Sequence, residues 1–382
     1  MENIVFLTRD HPLHGGRTGF TKDISKNLKE HFNFNIISFD NKENNFQNIK
    51  IKRKFNNQIL ELSHFYIKSY FILKKLKKEK KLDLIIGTGL SAPGGIIFGK
   101  LNKIPTIFNT SGLRGRNINE KIRYEKSYKE NKKGKTNFLS YPRFLFNFLA
   151  DRLSIRLANL TTIPTFHFKD RLEKISPKLY KKIKNKLRVI IEGLNTNRLE
   201  ISKKEDILRS YGITNNKIIL FSRVENNLFF KELFKLVKEK IPNSTIILME
   251  SQCMKIEKNG ILQKSSITAK QAMQISDLML CIPESEPHST SVLESLYFNC
   301  PTFVSNVGWL NYEFHNHSEF IINNLNKDEI IKKVKDFYDK KEEYYKKFKK
   351  TKDEILKRND FKKTKDEYQN LLTNFLTKNI PS

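Results

Sequence analysis

The sequence predicts an α/β protein of two Rossmann-like, doubly wound domains that face one another across a cleft. Three observations carry that expectation. Short apolar runs alternate with amphipathic helical segments along both halves of the chain, as right-handed strand–helix–strand crossovers in a parallel sheet require. Turns rich in glycine follow the ends of apolar runs in the first half, where doubly wound sheets hold their ligands. At 382 residues the chain also exceeds the usual size of one compact domain.

Ile4-Val5-Phe6-Leu7 is an apolar run suited to a buried strand, and the glycine-rich turn His11–Gly19 follows it. Phe20, Ile24, Leu28 and Phe32 then recur at helical spacing and form one face of an amphipathic helix. Phe34–Phe39 is the next strand, and Leu82–Ile86 is another, ending in the loop Gly87-Thr88-Gly89. A helix around Gly95–Leu101 leads to the strand Pro105–Phe108.

The second half repeats the alternation. Leu187–Ile191 runs into the turn signal Glu192-Gly193-Leu194-Asn195. Ile218–Phe221 is a strand, Phe229–Ile241 a helix closed by Pro242, and Thr245–Met249 a strand. Leu278–Ile282, Ser291–Phe298 and Thr302–Ser305 read as strand, helix and strand. From Asp328 onward the chain is lysine-rich helix, interrupted near Asn359-Asp360. The expected division is 1–187 for the first domain, 188–358 for the second and 359–382 for a last helix. The cleft between the domains is the expected ligand site.

Composition narrows the function classes. The formal charge of +30 is carried mainly by lysine spread over the whole length. Attraction to phosphates or to an anionic membrane explains it in one reading. An AT-rich coding sequence, which over-uses Lys, Asn and Ile, explains it in the other, since no compact basic block dominates. No nucleic-acid reading motif occurs, so nucleic acid is not an expected partner. Cys253, Cys281 and Cys300 share no ligand-like spacing, which fits a reducing compartment rather than a disulfide framework or a zinc site. No signal peptide opens the chain, and the longest uncharged stretch, Leu84–Gly99, is shorter than a spanning helix needs. The expected location is cytoplasmic, with peripheral contact on the inner face of the membrane. Residues 117–148 are a basic, aromatic insertion, and Phe138–Arg156 mixes Phe, Leu and Tyr with Arg143, Arg152 and Arg156. Such a stretch lies on an anionic bilayer, or is an ordinary helix facing the core with its arginines in solvent.

The segment that carries chemistry is PESEPHSTSVLESLYFNCPTFVSNVG, Pro283 to Gly308. An apolar strand, a turn and a helix beginning near Ser289–Ser291 make an anion site, because the first amides of a helix lack intrahelical partners and sit at its positive end. Ser289, Thr290 and Ser291 are good capping residues and add hydroxyl donors. Glu294, one turn inside the helix, can accept two hydrogen bonds from a ribose diol, and Glu286 sits beside whatever the phosphate carries. The plainer alternative is a capped helix with two solvated glutamates.

This run resembles the signature of retaining GT-B glycosyltransferases of family four, the glycosyl transferases group 1. Other stretches resemble the family in order: Gly15-Gly16, Arg188–Asn195, Phe221-Ser222-Arg223 and Asn359-Asp360-Phe361 with the helix after it, which in the family crosses back to the N-terminal domain. The resemblance implies a sugar transferred from a nucleotide-diphosphate sugar to a glycan or lipid-linked acceptor with retention of configuration, in surface polysaccharide or glycan assembly. It implies that Glu294 holds the ribose, that Glu286 aligns the donor sugar, and that Arg223 neutralises the leaving diphosphate. Gly15 and Gly16 let backbone amides approach the diphosphate or the acceptor. No metal and no cofactor are expected, and no Asp-x-Asp pair occurs.

Two positions depart from the family. The lysine expected shortly after Arg223 is Leu228, with Lys231 as its substitute, and the histidine expected after Pro105–Phe108 is Ser111, with His11, His14 and His288 as replacements. These departures support an alternative, a non-catalytic GT-B partner or scaffold of a polysaccharide assembly complex.

Overall fold

The computed structural model describes residues 1–8, 17–39, 47–55, 57–110, 140–215, 217–222, 228–250, 253–258, 261–283, 288–323 and 326–379. Two compact units divide the chain, Met1–Glu192 with Thr364–Ser382, and Gly193–Lys363.

The first unit runs β1 (Asn3–Leu7), α1 (Arg17–Asn27), β2 (Asn33–Ser38), β3 (Gln47–Lys50), α2 (Gln58–Lys78) and β4 (Leu84–Thr88). It continues through α3 (Ala92–Asn102), β5 (Thr106–Asn109), α4 (Ser140–Leu157), β6 (Leu160–Ile163), α5 (Phe166–Ile175), α6 (Pro177–Ile183) and β7 (Leu187–Val189). Its strands form one sheet in the order β3-β2-β1-β4-β5-β6-β7, and its pairings are parallel. β1 is central, so Ile4, Val5, Phe6 and Leu7 are all buried and read as an unbroken apolar run. Phe20, Ile24, Leu28 and Phe32 are all buried, but α1 ends at Asn27, so Leu28 and Phe32 lie past its end rather than on its face.

The uncharged stretch from Leu84 becomes β4 and α3. Its glycines serve close packing: a Cβ on Gly95 would stand 1.9 Å from Leu7 Cδ1 and 3.0 Å from Ile85 Cγ2. No element is expected between Phe39 and Leu82, yet α2 fills Gln58–Lys78, its start capped by Asn57, which accepts from the Ile59 and Leu60 amides. The reason is physical. α2 buries Leu62, Phe65, Leu73 and Leu76 while also exposing Leu60, Ile67 and Phe71, so its apolar residues do not form one clean stripe.

The second unit runs α7 (Lys204–Tyr211), β8 (Lys217–Ser222), α8 (Leu228–Lys240), β9 (Ser244–Met249), β10 (Met254–Lys258), β11 (Ile261–Ser265) and α9 (Ala269–Ile275). Then come β12 (Leu278–Cys281), α10 (Thr290–Tyr297), β13 (Thr302–Ser305), α11 (Gly308–Phe314), β14 (Ile321–Ile322), α12 (Lys327–Asp339) and α13 (Lys341–Arg358). The sheet order is β11-β10-β9-β8-β12-β13-β14. The pairs β8–β9, β8–β12, β12–β13 and β13–β14 are parallel. β10 and β11 depart from the expected parallel pattern and form an antiparallel hairpin against β9. Met254 and Ile256 face inward while β11 exposes Gln263 and Lys264, a charged guard on an edge strand. Buried Asp277 accepts from the Ile218 amide at 2.8 Å and from Lys341 Nζ at 2.8 Å, joining β8, β12 and α13.

The lysine-rich tail is helix, as expected, in three pieces. α12 buries Ile330, Val334 and Phe337, and α13 buries Phe348 and Ile355, so the lysines are their solvent faces. The last helix, α14 (Phe361–Asn379), belongs from Thr364 on to the first unit. Its buried Tyr368 meets Phe20 edge to face at 5.6 Å, and the Thr364 hydroxyl donates to the Ile191 carbonyl at 2.7 Å. Just before it, Leu194 N donates to Asn359 O at 2.8 Å, and Leu194 and Asp360 form a parallel bridge. Gly193 makes that approach possible, since a Cβ there would lie 2.5 Å from the Asp360 carbonyl carbon.

Candidate active site in the second unit

Strand order reverses between β8 and β12, because β9, β10 and β11 extend to one side of β8 and β13 and β14 to the other side of β12. In open α/β sheets ligands bind outside the carboxyl ends of the strands at such a point. β12 leads through Ile282 and Pro283 to His288, Ser289 and α10, so α10 begins on the carboxyl side of the switch. The Ser305 hydroxyl donates to the Pro283 carbonyl at 2.7 Å and ties the end of β13 to the segment leaving β12.

Ser289 is the residue before α10, with extended backbone (φ −126°, ψ 97°). The capping bond expected of its side chain is not made. Instead its hydroxyl, fully buried, lies 3.1 Å from the Ser291 hydroxyl. The hydroxyl is therefore not used to close the helix end, and the leading amides of α10 carry the positive end of its dipole. Thr290 and Ser291 are half-exposed on the same turn.

Glu294 is half-buried one turn further along and accepts from Arg198 Nη2 at 3.2 Å. Arg198 sits on a single helical turn, Thr196–Arg198, whose entry is fixed by Asn195 Oδ1 accepting from the Asn197 amide at 3.2 Å. Lys270 Nζ donates to the Arg198 carbonyl at 2.7 Å. Sequence reasoning missed Arg198: it lies just past the stretch Arg188–Asn195 and no local pattern marks it.

His288 is buried, its ring 4.8 Å from that of Trp309 on α11. Trp309 hydrogen-bonds Glu313, whose Oε2 accepts from Arg358 Nε and Asn359 Nδ2, both at 3.2 Å. Burial pushes the Glu313 carboxyl above its usual range, and Arg358 pulls the other way. A continuous set of contacts thus runs from the start of α10 to Asn359.

The structure brings together Ser289, Thr290, Ser291 and Glu294 on one helix end and adds Arg198. Gly15, Gly16, Arg223 and Glu286 lie outside the described residues, as do His11, His14 and Ser111. Leu228 is the first residue of α8 and Lys231 stands in its first turn. Among the described residues no three His, Cys, Asp or Glu side chains gather as metal ligands would. No described helix is long and apolar enough to cross a membrane.

Residues 252–354 match the family described as glycosyl transferases group 1. No curated protein matches the chain in sequence. Solved structures match it in fold across nearly its whole length. Sucrose-phosphate synthase from Thermosynechococcus elongatus superposes with a TM-score of 0.72 at 10% identity, covering 99% of this chain and 100% of that one. Anabaena HepE in complex with UDP-glucose gives a TM-score of 0.72 at 13% identity, covering 98% and 100%. The catalytic domain of starch synthase IV from Arabidopsis thaliana, bound to ADP and acarbose, gives 0.70 at 10% identity, covering 98% and 99%. Residues 252–354, which include α10 and the whole Pro283–Gly308 segment, thus match the glycosyl transferases group 1, and the chain has the GT-B fold of the solved glycosyltransferases it is similar to.

Proposed function

We propose that the protein transfers a sugar from a nucleotide-diphosphate sugar to a glycan or lipid-linked acceptor, retaining the anomeric configuration and using no metal. The observation that carries this reading is the start of α10 at the strand-order switch, with Glu294 braced by Arg198. Two proteins of the same fold were solved with UDP-glucose and with ADP, which supports a nucleoside diphosphate as the leaving group.

In this reading the α10 amides and the hydroxyls of Ser289, Thr290 and Ser291 hold the diphosphate, and Glu294 holds the ribose diol. As the anomeric C–O bond breaks, negative charge collects on the departing phosphate oxygen. The helix end, Arg223 and Lys231 offset that charge, which is where such sites gain most of their rate. Glu286 aligns the sugar, and Gly15 and Gly16 let backbone amides close on donor or acceptor. The acceptor hydroxyl attacks from the face the diphosphate leaves and passes its proton to the leaving phosphate oxygen.

Glu294→Ala and Arg223→Ala are each expected to abolish transfer, read as product formed from a panel of nucleotide sugars. Full activity in both variants would sink the mechanism. Leu228, standing where the family carries a lysine, favours a second reading, a non-catalytic partner in a polysaccharide assembly. Calorimetric titration with nucleoside diphosphates separates the two, because a scaffold takes up no nucleotide.

A further inference from the structure

The first unit carries an outer face that sugar transfer leaves unexplained. Leu7, Gly87 and Phe108 stand in one register row across β1, β4 and β5. α2 packs over Leu7 and α4 over Phe108, so both helices cover the same side of the sheet. The Tyr66 and Phe146 rings stack 6.3 Å apart at 9° and hold the two helices together. Their outer sides therefore face away from the sheet in common.

Those outer sides are apolar to an unusual degree. α2 exposes Leu60 at 52%, Ile67 at 58% and Phe71 at 61%. α4 exposes Leu145 at 43%, Leu149 at 56% and Leu153 at 40%. Each set recurs at helical spacing, so each forms a stripe rather than a scatter. The exposed charges on the helices themselves share one sign, and the carboxylate just past α2, Glu79, lies 3.9 Å from Lys75 and 3.1 Å from Lys81. α2 exposes Lys68, Lys74, Lys75, Lys77 and Lys78, and α4 exposes Arg156. The carboxylates of the two helices, Glu61 and Asp151, are both buried, and Glu61 is paired with Arg53 at 3.1 Å. An ordinary solvated surface mixes both signs and scatters its apolar side chains. Among the described side chains of these two helices, those exposed to solvent are apolar or cationic.

We propose that α2 and α4 dock the first unit on an anionic lipid bilayer. Ile67, Phe71, Leu149 and Leu153 enter the acyl boundary, and the α2 lysines meet the headgroup phosphates. A bilayer fits better than an acidic protein because the apolar groups extend along two helices and do not converge on one anchor. Of the basic, aromatic segment the sequence marks for such a role, α4 is the described part, and α2 is an addition that its composition alone does not reveal. This docking stands apart from the sugar-transfer reading.

The test is flotation of the full chain with phosphatidylcholine vesicles, with and without phosphatidylglycerol, at low and high salt. The chain is expected to float with the anionic vesicles at low salt and to release as salt rises. Phe71→Ser with Leu149→Ser, and separately Lys74→Glu with Lys75→Glu, should each weaken partitioning by about tenfold or more. Unfolding temperature and nucleoside diphosphate binding should stay unchanged. If the apolar pair lowers the unfolding temperature, the lysine pair decides alone, since it alters only exposed side chains. Protein that stays at the bottom at low salt overturns the proposal. So does flotation equal to wild type in the lysine variant, which would place the membrane contact elsewhere or assign this face to an acidic protein.

Discussion

Arg198 and Glu294 meet across 96 positions of sequence, and that separation explains what could be read in advance. The positions of the serines and Glu294 at the start of α10 were legible because that pattern is local: hydroxyls where a helix begins, then a carboxylate one turn in. Arg198 was not, since a contact formed only by folding leaves no spacing to recognise. Its side chain is 24% exposed and that of Glu294 15%, so the pair is shielded enough to matter but not isolated from water. Arg198→Ala is expected to weaken nucleoside diphosphate binding by roughly tenfold, through a Glu294 carboxylate no longer held in place. A double-mutant cycle with Glu294→Gln should give a coupling of about 1 kcal/mol or more in binding. Additive effects would mean that the two side chains do not act as a unit.

Among elements, the central strands and their helices follow from apolar runs, and the second sheet shows where that rule stops. β10 and β11 carry lysine, glutamate and glutamine between their apolar residues, a pattern that an edge hairpin satisfies and a buried parallel strand does not. α2 went unseen for the opposite reason, having apolar residues on more sides than one. A close backbone-to-backbone joint lies where Gly193 meets Asp360. A Cβ at Gly193 would stand 2.5 Å from the Asp360 carbonyl carbon and 2.6 Å from Phe361 N. Both are backbone atoms just after Asn359, whose carbonyl accepts from the Leu194 amide. Gly193→Ala should therefore cost about 1–3 kcal/mol in denaturant unfolding of the second unit. An unchanged midpoint would show that this backbone yields freely.

For the whole molecule, the alternation of strands and helices was enough to reveal two doubly wound sheets, because that topology is written in the order of elements along the chain. What alternation cannot reveal is how each sheet is finished, and the first unit is finished by its latest residues. Tyr368, Leu372 and Leu376 are buried in it, although Gly193–Lys363 comes between them and the rest. A chain ending at Lys363 should lose the cooperative unfolding transition of the first unit, leaving Phe20 without Tyr368 against it; a calorimetric scan with both transitions intact would refute this. The same arrangement has a consequence during translation. Domains are usually completed in the order in which they leave the ribosome. Here the first sheet emerges early but must wait for the entire second unit before its own core closes, roughly ten to thirty seconds at 5–20 residues per second. The earlier part of the first unit thus matures after the unit that follows it, and for that interval its core stays open.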